Sequence, residues 1–166
     1  MNTLCRMALL LVGTLGACVA MAPPNRHVTD AHAFDKVAQA ALSDMREKAY
    51  ALGIGGVAVV AYFEGDPIDS WVSRMLVVGR YKDSPTQKEP GANLLAIVYS
   101  KAAEMADTHK ESGSQVRPPM TGEVGWPGGV IARGRHGYIL AAFSGGEDKD
   151  DLQVSRTGLA RLATGL

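Results

Sequence analysis

The side chains in this chain that could do chemistry are few and widely spaced. Four histidines stand at positions 27, 32, 109 and 136, and the only cysteines are Cys5 and Cys18. No His-x-x-x-His pair occurs, so a tetrahedral zinc set has no sequence basis. A metal that takes only one or two protein ligands leaves His109 and His136 as candidates. His136 falls in a turn beside Arg133 and Arg135, where solvent exposure is the ordinary state, and His109 closes a helical segment, where a cation complements the helix dipole. Glu104 and Asp107, three apart on that helix, share a face and could hold a hard cation given further ligands, although a solvated helix face explains them equally well. Lys101 sits mid-helix among Ser100, Ala102 and Ala103; a long cation among small neighbours can line a pocket or can simply snorkel to solvent. The serines lie in no Gly-x-Ser-x-Gly elbow, so nucleophilic hydrolysis has no support.

Glycine-rich text supplies the other candidates. The stretch WPGGVIARGRHGYILAAFSGGEDKDD (126–151) holds two glycine pairs. Gly128 and Gly129 are not a phosphate loop, because no Lys-Ser/Thr follows and a strand rather than a helix comes next. Gly145 and Gly146 end a strand and open a helix, whose free N–H groups could receive an anion. Four acids follow at once, Glu147, Asp148, Asp150 and Asp151, so a turn that satisfies its own dipole is the better reading.

The elements that must position these residues follow from periodicity. Phe34, Val37, Ala41, Met45 and Leu52 form one face of a helix over roughly 30–52, with Thr29 or Asp30 to cap it and Gly53 to stop it. GGVAVVAYF (55–63) is a buried strand, EGDP (64–67) a turn, and 68–80 a returning strand. Residues 81–93, polar with two prolines, are an exposed loop. Leu94, Leu95, Val98, Ala102 and Met105 make a second helical stripe that ends near Gly113. After the RPPM breaker (117–120), short strands near 120–124 are an option. GVIAR (129–133) and YILAAFS (138–144) form a hairpin, and a last helix turns Leu152, Leu159 and Leu162 inward. The order α-β-β-α-β-β-α, built on hairpins, defines the α+β class: an antiparallel sheet flanked by helices.

The N-terminus carries a different message. Residues 1–22 run from one Arg through a short apolar stretch to small residues, the pattern of an export signal. The apolar run falls short of the ~20 residues that span a bilayer. Leu15-Gly16-Ala17-Cys18 resembles a lipobox, which would make Cys18 the lipidated residue and the protein an exported, periplasmic or membrane-anchored lipoprotein whose membrane contact is the lipid anchor alone; an ordinary signal peptide cut near Ala20 or Ala22 is the alternative. Pro23 and Pro24 begin a tether over 23–29, and 30–166 form one domain. Seventeen basic residues balance seventeen acidic ones, which gives no electrostatic reason to expect nucleic acid as a partner.

The strand GVAVVAYF, the segment YSKAAEMA with Lys101-Ala102, Gly128-Gly129-Val130, Gly137 with Ala141-Ala142-Phe143-Ser144-Gly145, and Thr157-Gly158-Leu159 together resemble the GlcG/HbpS family of haem-binding and haem-degrading-type proteins. The resemblance spans roughly Asp30 to Leu162 and is most specific in its last third. It implies a profilin-like fold, haem or a small organic molecule as ligand, and a homo-oligomer. It also implies Lys101, Gly128, Gly129 and Gly145 as positions near the pocket, with His109 and His136 as the haem-iron candidates. Arg74, as a partner for a ligand carboxylate, and Trp126, as an aromatic wall, are added from residue type. The chain departs from the family pattern at Glu64-Gly65-Asp66-Pro67, at Glu104-Met105 and in the loop from Val78 to Asn93. Two other functions stay open: an enzyme of haem or glycolate-related metabolism, and a non-catalytic envelope assembly protein that uses the 81–93 loop as its contact.

Overall fold

Helix α1 (Arg26–Ala51) is followed by β1 (Gly56–Glu64), β2 (Ser70–Val78), the two-residue strands β3 (Lys82–Asp83) and β4 (Ala92–Asn93), α2 (Leu94–Thr108), β5 (Gly129–Arg133), β6 (Tyr138–Ser144) and α3 (Asp148–Gly165). The computed structural model describes residues 26–134 and 137–165, with side chains from Ala33 on. The export signal, Cys18 and His136 lie outside the described residues.

Four strands form one antiparallel sheet in the order β2-β1-β6-β5, and β3 and β4 pair separately within the 81–93 loop. The alternation in β1 decides which layer each residue serves, because successive strand side chains point to opposite faces. Val57, Val59, Ala61 and Phe63 join Val98, Ala102 and Met105 of α2 in one apolar cluster. Ala58, Val60 and Tyr62 join Phe34, Ala41 and Met45 of α1 and Val154 and Leu162 of α3 in another. The sheet is therefore covered on both faces, by α2 on one side and by α1 with α3 on the other. That double cover is why β1 reads as an unbroken apolar run rather than as an alternation. Each fully buried side chain of this size contributes ~1.5–3 kcal/mol relative to exposure.

The α+β class and the element order agree with expectation, and the differences are at the ends. α1 begins at Arg26, so residues 26–29, read as tether, are helical: once past Pro24 no residue opposes helix. α2 stops at Thr108, five residues before Gly113, because His109 itself takes the left-handed cap conformation (φ 52°, ψ 29°) and donates its backbone N–H to Met105 O. No strand forms over 120–124; Glu123 N instead closes a turn onto Met120 O. Asn93 caps the start of α2 by accepting from Ala96 N.

Candidate functional site

Two constellations contain the candidate residues, and they lie in different places. The first is buried. Lys101, 2% exposed, donates from Nζ to Asp151 Oδ2 at 2.8 Å and to Phe143 O at 2.9 Å. Asp151 Oδ1 in turn accepts from Gly146 N at 2.8 Å, and Gly145 N also donates to the same carboxylate. The amides that could have cradled an external anion are thus occupied by an internal one. Burial pushes the Asp151 carboxyl above its ordinary value, and the Lys101 ammonium opposes that shift in part.

The glycines make room for this pair. Gly128 has φ 126°, and a Cβ there would strike Lys101 Nζ. Its carbonyl accepts from Ser155 Oγ at 2.6 Å and from Phe143 N at 3.1 Å. Gly129 N donates to the buried Ser112 Oγ at 2.8 Å. Gly145, at φ 151°, passes so close to the Gly55 carbonyl that no side chain fits. Lys101, Gly128, Gly129 and Gly145, expected near a pocket, are gathered instead around a lock that ties α2, β5, β6 and α3 together. None of the four lines either of the clefts described here.

The second constellation is open. Antiparallel register places Trp71 of β2 and Tyr138 of β6 on either side of Phe63 in β1. The rings stack: Trp71 on Phe63 with centroids at 5.6 Å, and Phe63 on Tyr138 at 5.1 Å. His109 completes the stack, its ring 4.3 Å from that of Tyr138 and within 3° of parallel. A left-handed cap usually falls to glycine because a side chain there costs ~1–2 kcal/mol. His109 bears that cost, and its ring is held by Tyr138 and by Asp66 Oδ1, 3.3 Å from Nε2.

Beside the stack, a groove of about 770 Å³ runs between α2 and the β1–β2 turn, within the range of small-molecule sites. Ile68 and Trp71 form one wall, and Tyr99, Ala103 and Ala106 on one face of α2 form the other. Trp71 and Tyr99 are more than one-third exposed. The carboxylates of the lining are those of Asp66 and Asp107, and His109 lines it as well.

Of the remaining candidates, Arg74 lies on the opposite side of β2 and pairs with Asp35 of α1 at 2.8 Å. Trp126, half-exposed, lines a second cleft near Glu104. Glu104 and Asp107 do not act as a pair, since Glu104 Oε1 accepts from Gly113 N and Asp107 binds Arg117. Among the described residues no group of three or more His, Cys, Asp or Glu side chains is placed to hold a metal ion. No described helix is long and apolar enough to cross a membrane.

Sequence reasoning missed Trp71, Ile68, Tyr99 and Asp66. The expected EGDP turn (64–67) would set residue 63 opposite residue 68; the connection is instead the longer 65–69, and only that loop brings Phe63 opposite Trp71. Asp151 stands in the sequence as one of four acids that satisfy the dipole of α3, and nothing in an acidic run distinguishes the one that turns inward.

No protein-family model matches the chain, and no curated protein matches it.

Proposed function

We propose that this chain is a binding module, and that its ligand is a flat, apolar organic molecule, neutral or positively charged, seated in the groove between α2 and the β1–β2 turn. The observation that carries the reading is the end of that groove. A histidine accepts an unfavourable backbone conformation there in order to stack on Tyr138, beside two aromatic side chains left open to solvent. Aromatic walls supply stacking area at low entropic cost, and Asp66 favours a cationic edge over an anionic one, while Asp107 is already paired with Arg117.

Haem, which the GlcG/HbpS resemblance implies, fits this lining in one respect only. His109 offers a ring nitrogen at the groove, but among the described residues no Lys or Arg lines it to pair with two propionates, and two carboxylates stand there instead. The lining thus favours the small organic ligand of the two, within a module that the signal and Cys18 would place, exported and lipid-anchored, at the cell envelope.

Parallel titrations with hemin and with an acridinium dye such as proflavine test the choice. The reading expects saturable dye binding near one equivalent and no hemin Soret shift that depends on His109. A hemin complex abolished by His109→Ala, with no dye binding, would reverse it in favour of haem.

A further inference from the structure

The segment 113–127 contains no helix or strand, yet it is fastened to α2 along its length. Gly113 N donates to Glu104 Oε1 at 2.9 Å, and Val124 N donates to Ser100 Oγ at 2.8 Å. Arg117 reaches Asp107 Oδ2 at 2.6 Å and both oxygens of Glu123 at 2.7 and 2.9 Å. That guanidinium holds the Glu123 carboxyl below its usual value, so both partners are committed to each other.

Between the segment and α2 lies a cleft of about 620 Å³ lined by Glu104, Arg117, Pro118, Pro119, Val124 and Trp126 among others. Glu104 is 5% exposed, and its second oxygen, Oε2, is buried with no hydrogen-bond partner among the described residues. A buried carboxylate oxygen left without a donor costs several kcal/mol in general, so its persistence calls for a reason. The surroundings indicate what donor would suit it. The cation that lines the cleft, the Arg117 guanidinium, is already paired with Asp107 and Glu123 and forms no ion pair with Glu104. The remaining walls are two prolines, two valines, a glycine, an indole and the side chain of Gln115.

We infer that this cleft is a second ligand site, which takes a primary ammonium group on a short apolar chain: the ammonium donates to Glu104 Oε2, and the chain lies against Trp126, Pro118 and Pro119. One free carboxylate oxygen with largely apolar walls suits an organic cation rather than a metal ion, which needs several oxygens. The indole face adds cation–π attraction. The site shares no lining residue with the groove proposed above and does not depend on it. Because Oε2 is buried, entry of the ammonium parts Gly113 and Val124 slightly from α2, so their amides report the event.

The probe is n-butylammonium chloride, titrated at constant ionic strength into protein carrying Trp71→Phe, which leaves Trp126 as the only indole. The expected result is a saturable change in Trp126 emission that 1-butanol does not reproduce and that Glu104→Gln weakens by at least about tenfold, the loss of one charge-assisted hydrogen bond. Amide spectra of the unaltered protein provide a check that needs no variant: n-butylammonium should shift Gly113 and Val124. A linear, unsaturable response, an equal response to 1-butanol, full retention in Glu104→Gln, or shifts confined to Ala103 and Ala106 would each overturn the inference.

Discussion

Replacing Lys101 by Met keeps the length of the side chain and removes its charge, and the consequences can be worked out from the lock. Asp151, buried, loses its only cationic partner among the described residues, and the Phe143 carbonyl loses a donor. Breaking a buried pair by removing one partner costs ~3–5 kcal/mol, mainly because the other charge remains buried and unpaired. At ~2–4 °C per kcal/mol for a domain near this size, the midpoint of thermal unfolding should fall by about 6–20 °C. Adding Asp151→Asn should restore well over ~1 kcal/mol, since the orphaned charge is gone while an oxygen remains for Gly146 N.

The pH dependence has a definite sign. Burial already raises the Asp151 carboxyl above 3.8 with Lys101 beside it, and loss of Lys101 raises it further. The folded variant then binds a proton more tightly than the unfolded chain, so acidification favours the fold. The deficit of Lys101→Met against the parent should therefore be full at neutral pH and should shrink as pH falls through the raised folded-state value toward 3.8. Urea unfolding followed by circular dichroism at pH 7 and pH 5 measures it. A cost under ~1 kcal/mol, an additive double-mutant cycle, or a deficit that widens on acidification would refute the assignment of Lys101 as a structural cation.

Three further outcomes follow from particular contacts. Gly128→Ala combines an unfavourable φ with a clash on Lys101 Nζ, and equilibrium unfolding should show a loss of ~2–4 kcal/mol. His109→Gly relieves ~1 kcal/mol of backbone strain and forfeits a ring stack of similar worth, so the thermal midpoint should stay within a few degrees while ligand binding in the groove disappears. Arg80 donates to Gly55 O, Gly145 O and Asp83, pinning the start of the 79–93 segment to the ends of β1 and β6. Arg80→Ala should cost only ~1 kcal/mol for so exposed a group, but should speed tryptic cleavage at Lys82 and Lys88, which a timed digest would show.

The fold was more legible than the site, for physical reasons. Hydrophobic periodicity reports burial, so Phe34, Ala41 and Met45 announced α1, and the apolar run of β1 announced a strand covered on both faces. End points depend on single-residue conformations that periodicity does not carry, and His109 in a left-handed cap is the clearest case. Gly145 and Gly146 bend the chain between β6 and α3, as the acidic run after them suggests, and their amides face an internal carboxylate. That carboxylate belongs to Asp151, whose meeting with Lys101 across fifty residues no local pattern reveals. The groove was invisible for a related cause: it is made of Trp71, Tyr99 and His109, each unremarkable in its own segment and brought together by β-register and the end of α2.

The central claim is that the ligand sits beside Trp71 and His109. Its most direct test is a titration of the Trp126→Phe protein, in which Trp71 is the sole indole, with proflavine while tryptophan emission is followed. The account predicts saturable quenching near one equivalent, absent when His109→Gly is added. Quenching that instead appears undiminished in the Trp71→Phe protein, from Trp126 alone, would contradict it and place the dye outside the groove.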